Sequence, residues 1–71
     1  MICANRVKLA RVEVDFTQEE LAERVRVTRQ TIGLIQRGRY NPTLKLCQAI
    51  ARTVNKTLDQ LFWIEDDNDQ G

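Results

Sequence analysis

Histidine and serine are absent from this 71-residue chain, and it holds only two cysteines, one proline and three glycines. Without histidine or serine, the commonest general base and the hydroxyl it most often activates are both missing. Cys3 and Cys47 fall short of the four Cys or His ligands of a structural zinc site, and no glycine-rich phosphate loop is present. Neither an enzyme nor a metal or cofactor site is therefore expected. No run of eighteen apolar residues occurs and no charged-then-apolar leader, so no membrane association and a cytoplasmic location are expected. Little proline and glycine beside 42% hydrophobic residues excludes a linker or disordered tail for most of the chain. The length allows one domain and leaves little room for a large cleft.

What is present is charge, unevenly placed. The net charge is +1, yet between Glu23 and Asp59 there is no acidic residue, while Arg24, Arg26, Arg29, Arg37, Arg39, Lys45, Arg52 and Lys56 fall in or beside that interval. Glu65, Asp66, Asp67 and Asp69 crowd the end. Residues 1–64 alone carry eleven basic against six acidic side chains, a net +5. A polyanion would meet the basic middle. The chain is expected to divide into a folded domain over 1–65 and a flexible acidic tail over 66–71.

The middle is organised around Thr17 to Gly38. Leu21, Ala22 and Val25 give its first half one apolar stripe, and Ile32 and Ile35 give its second half another. Thr17 and Glu20 have the spacing of a capping box, which also gives the early carboxylates Glu19 and Glu20 a structural rather than catalytic role. Arg26 and Val27 make a corner, Thr28 caps a new helix running to Arg37, and Gly38 supplies a left-handed stop. Two short helices at a steep angle, the second presenting Arg29, Gln30 and Thr31 from its first turn, suit entry into a DNA major groove.

Around this unit three more helices are expected. The first is capped by Asn5 and runs to about Val12–Val14, followed by a turn at Asp15 with Phe16 plugging the core. The next is capped by Thr43 after Pro42, buries Leu44, Leu46, Cys47, Ile50, Ala51 and Val54, and ends near Asn55. Thr57 caps the last, Leu58 to Phe62. Phe62, Trp63 and Ile64 are consecutive and cannot all enter one core, so this run is expected to form a dimer interface.

The stretch TQEELAERVRVTRQTIGLIQRGRYNPTLKLCQAIARTVNKTLDQLF resembles the phage repressor and Cro family of helix-turn-helix regulators. The likeness extends from about Asn5 to Phe62 and includes the T-Q-x-x-L-A opening, R-Q-T-I, P-T-L and L-x-x-L-F. It implies an all-α, compact five-helix bundle of the lambda-repressor-like type, a homodimer on a roughly palindromic double-stranded DNA operator, and transcriptional control, with no obvious small-molecule ligand. Short members of the family add a small antiparallel sheet, for which Ile2 to Ala4 and Trp63 to Glu65 would be the strands.

By the same resemblance, Arg29, Gln30 and Leu34 match the base-reading positions. Gln18, Thr28, Thr31, Arg37, Arg39 and Tyr40 match positions at or near the DNA backbone, with Gln18 also bracing Gln30. The chemistry agrees: Arg pairs with guanine O6 and N7, Gln with adenine N6 and N7, and Leu can meet a thymine methyl. Gly33 would leave room for close approach. Two positions depart from the pattern. Gln36 stands where many relatives carry an acidic partner for the residue at Arg11, leaving a charged hydrogen bond in place of a salt bridge, and Asp15 stands where glycine is frequent. A competing reading is a protein-interaction module, such as an antitoxin or adaptor, using the apolar end of the chain.

Overall fold

A computed structural model describes residues 2–65, with side chains described within 5–62. The acidic tail expected at 66–71 lies outside the described residues, as do the side chains of Cys3, Trp63 and Ile64. The element order is β1 (Ile2–Asn5), α1 (Val7–Glu13), α2 (Gln18–Val25), α3 (Arg29–Gln36), α4 (Leu44–Thr53), α5 (Leu58–Leu61) and β2 (Phe62–Glu65). The two strands pair antiparallel, Ile2 opposite Glu65 and Asn5 opposite Phe62. The fold is thus a five-helix bundle whose described ends meet in a two-stranded ribbon, each strand one residue longer on its inner side than the resemblance implied.

Four of the helices start in one way. Thr17, Thr28, Thr43 and Thr57 have extended backbones, and each hydroxyl accepts the amide three residues on, from Glu20, Thr31, Leu46 and Gln60. This satisfies a donor that the helix itself cannot pair. At Thr17 and Thr57 the third residue's side chain reaches back to the threonine amide and completes a capping box.

Four of the helices also close in one way. Asp15, Arg26, Gly38 and Asn55 have left-handed backbones, with φ of 61°, 63°, 72° and 61°. Just after each, an amide donates five residues back: Phe16 to Arg11, Val27 to Ala22, Arg39 to Leu34 and Lys56 to Ala51, at 2.9 to 3.1 Å. These are Schellman closures, and three of the four left-handed positions are not glycine. A left-handed L-residue costs about 1–2 kcal/mol, partly offset by the smaller unfolded-state entropy of a non-glycine. Arg26→Gly is therefore expected to raise stability by roughly 0.5 kcal/mol in urea unfolding. A loss would mean that the Arg26 side chain itself holds the turn.

The first helix starts differently from expectation. Asn5 belongs to β1, and Arg6 takes the cap position without a side-chain cap bond. Asn5 still serves the helix, its Oδ1 accepting the Val7 amide at 3.1 Å, while its Nδ2 donates to the Ile35 carbonyl at 2.7 Å. The Arg6 amide donates to the Leu61 carbonyl at 2.9 Å, so strand pairing displaces the helix start by one position.

The core sits where α2, α3 and α4 converge under α1 and α5, with Val7, Leu21, Ile32, Ile50 and Val54 wholly buried. Each such side chain contributes about 1.5–3 kcal/mol of burial. Three expected core positions are different. Leu44, the first residue of α4, is 65% exposed because the buried face of that helix begins a turn later. Cys47 is half-buried at that helix's margin, its Sγ 3.9 Å from the Pro42 carbonyl. Phe16 is half-buried beneath the Arg24 guanidinium, 4.5 Å from its ring centroid, a cation–π contact at the surface rather than a plug. Leu58 and Phe62 pack against the core from its edge.

Arg11 is the one charged side chain buried with this core among the described residues. Its Nε donates to Gln36 Oε1 at 3.0 Å and its Nη1 to the Phe16 carbonyl at 2.6 Å. The charged hydrogen bond expected from the neutral Gln36 is present, and both acceptors are uncharged.

Candidate nucleic-acid interface

The joint of the α2–α3 unit is closed from both sides. The α2 stop at Arg26 and the α3 start at Thr28 leave Val27 as the residue between them, and Val27 is half-buried against the core. Leu21, Ala22 and Val25 of α2 face Ile32 and Ile35 of α3, all buried. With its apolar stripe turned inward, α3 presents Arg29, Gln30 and Leu34 to the outside, Leu34 with 36% of its surface exposed.

These three side chains, together with Gln18, Gly33 and Arg37, line one groove of about 340 Å³. Five of the expected contact residues therefore share one surface. Gly33 lines the same groove. It is buried, and a β-carbon there would lie 3.4 Å from Gln18 Oε1 and 3.9 Å from Arg37 Nη2. Both are ordinary van der Waals distances. Among the described residues no hydrogen bond joins Gln18 to Gln30, although both line the groove.

The remaining expected residues lie around this groove rather than in it. Thr28 Oγ1 accepts the Thr31 amide at 3.1 Å and is 2.9 Å from the Thr31 hydroxyl, so both threonines already serve the cap. Arg39 and Tyr40 are exposed in the connector after α3, Tyr40 by 42%. Arg37 and Arg39 flank the Gly38 closure and extend the positive surface from the helix into that connector. Lys56 is drawn away from this basic set: its Nζ lies 3.0 Å from Glu13 Oε1, on α1, in a partly exposed pair that contributes little stability. Among the described residues no helix is long and apolar enough to cross a membrane, and no group of His, Cys, Asp or Glu is assembled to hold a metal.

A groove of arginine and two amides on a capped two-helix unit has the chemistry of a major-groove reader. The family model described as helix-turn-helix matches residues 7–61. The chain belongs to the Cro/C1-type helix-turn-helix family. Members of this family are DNA-binding transcription regulators. A helix-turn-helix relative, an uncharacterized HTH-type transcriptional regulator of Archaeoglobus fulgidus, is 44% identical over 62 residues, covering 87% of each chain. The immunity repressor protein of Bacillus phage phi105 is 39% identical over 51 residues, which span 72% of this chain and 35% of that one. Among solved structures, a candidate DNA-binding protein from Bacteroides fragilis superposes with a TM-score of 0.77 at 26% identity, covering 86% of this helix-turn-helix chain and 98% of its own.

Proposed function

We propose that this chain is a homodimeric repressor that inserts α3 into successive major grooves of a palindromic operator and acts by occupying promoter DNA. The observation that carries the reading is the shared groove of Arg29, Gln30 and Leu34 with Gln18 and Arg37 at its border. In this reading Arg29, Gln30 and Leu34 contact base edges. Gln18, Thr28, Thr31, Arg37, Arg39 and Tyr40 meet the sugar–phosphate backbone, the amides and hydroxyls as donors and the guanidinium groups as charges. The repressor role is supported by the likeness to a phage immunity repressor.

The dimer in this proposal forms through Phe62, Trp63 and Ile64. Two α3 helices must then lie about 34–36 Å apart, one turn of B-DNA, to read both half-sites from one face. Light scattering is expected to give twice the monomer mass.

The DNA reading is tested by titrating duplex carrying the protein's own promoter at increasing salt. Tight binding that weakens steeply with salt is expected, since each phosphate neutralised releases condensed counterions. Absence of salt-sensitive binding at micromolar protein would reject the proposal.

A further inference from the structure

The outer face of α1 carries apolar side chains where a surface helix ordinarily carries polar ones. Leu9 and Val12, three residues apart, leave 59% and 53% of their surfaces exposed. They border a wide-mouthed groove of about 320 Å³ completed by Asn5, Arg6, Lys8 and Gln36. It shares no residue with the Gln18–Arg37 groove, and Gln36, the last residue of α3, forms one of its walls.

The charged side chains described along this groove are basic. Arg6 and Lys8 line it, and among the described residues no acidic side chain does. Arg11, buried beside Gln36, adds a guanidinium whose two acceptors are both neutral. Glu13, at the end of the same helix, is paired with Lys56. Gln36 uses its oxygen to accept from Arg11, and among the described residues nothing accepts from its Nε2. An apolar surface is thus set beside two cationic side chains and an amide donor.

We propose that this groove docks an acidic, apolar-anchored segment of a partner protein. One large aliphatic or aromatic side chain of the partner packs against Leu9 and Val12. A neighbouring Asp or Glu accepts from Gln36 Nε2 and faces Lys8. The complementarity is of both kinds that interfaces use: an apolar anchor for affinity and opposite charge for orientation. The open shape suits a protein segment better than an enclosed small molecule. Because Gln36 ends α3, the partner would be held against the last turn of the recognition helix. The proposal does not depend on which bases, if any, that helix reads.

The test is selection of peptides from a random display library on the full-length protein, followed by anisotropy titration of the recovered peptides. Recovered sequences should combine a large apolar residue with two or more acidic ones. Leu9→Lys and Val12→Lys should each weaken their binding by about tenfold or more, the loss typical of an interface anchor. Lys8→Glu, at an exposed position, should weaken them several-fold and reduce the salt dependence. It keeps the test decisive if an apolar variant misfolds. The proposal is overturned if no peptide is enriched, if enriched peptides lack acidic residues, or if they bind the variants as well as the parent. It is also overturned if Val12→Lys halves the mass seen by light scattering, because a second copy of this chain would then be the occupant.

Discussion

Arg11→Ala is expected to lower stability by about 3 kcal/mol, which for a domain of this size moves the melting midpoint by roughly 10–25 °C. The substitution removes no carboxylate pair, because none exists. It orphans Gln36 Oε1 and the Phe16 carbonyl, each now paired with the guanidinium at 3.0 and 2.6 Å, and each costs about 1–3 kcal/mol when left unpaired away from water. It also deletes an aliphatic stem that packs among Val7 and Ala10 on the inward face of α1. The reciprocal change, Gln36→Glu, gives the guanidinium a charged acceptor and is expected to stabilise by about 1 kcal/mol at neutral pH. A carboxylate held beside a guanidinium stays ionised to lower pH in the folded state. The gain should therefore be present near neutrality and disappear below about pH 4. Thermal unfolding of both variants at pH 7 and pH 3.5 checks the pair. If Gln36→Glu destabilises at pH 7, desolvation of the new carboxylate outweighs its attraction to Arg11, and neutral Gln36 is the better partner.

Arg29→Ala is expected to raise the dissociation constant for the preferred duplex by about 5- to 150-fold while barely changing affinity for unrelated duplex, the range that one bidentate base contact supplies. Arg39→Ala should behave otherwise, weakening all sequences by a similar factor and reducing the magnitude of the salt slope by about one. The contrast follows from position: Arg29 opens α3 inside the groove with Gln30 and Leu34, whereas Arg39 lies beyond the Gly38 closure. Selection from random duplexes, followed by competition binding at two salt concentrations, separates the roles. If the two variants lose base preference equally, the division into readers and backbone contacts is wrong.

Much of the fold could be read because its punctuation is local. A threonine before a helix needs only the backbone amide three places on and no distant partner, and Thr17, Thr28, Thr43 and Thr57 all cap as a window of four residues predicts. Gly38 and Asn55 were legible as stops for the same reason. Arg26 was placed at a corner, but nothing in an arginine announces a left-handed backbone. Arg26 adopts that conformation between Val25, which is buried, and Val27, which packs against the core.

What escaped the sequence depends on residues far apart along the chain. Asn5 looks like an ordinary helix cap until β2 pairs with it. Phe16 reads as core until Arg24 covers its ring, and Leu44 fits an apolar periodicity whose buried face starts one turn later. At the candidate interface, the family resemblance singled out Arg29, Gln30 and Leu34, and the three line one groove. The position of the Gln18 amide over Gly33 is a contact between two helices, and no pattern within either helix encodes it.

The Asn5 amide links three segments that are remote in sequence: the β1 backbone, the first amide of α1 and the Ile35 carbonyl in the last turn of α3. Ile35 also accepts from Gly38, so one carbonyl serves both the helix closure and the chain end. Separation of β1 from β2 would therefore not stay at the edge of the molecule; it would withdraw Asn5 and loosen the last turn of α3 with it. In hydrogen exchange, the paired strand amides and those of Gly38 and Arg39 should open as one cooperative unit with a shared free energy, distinct from the more protected α2 and α4.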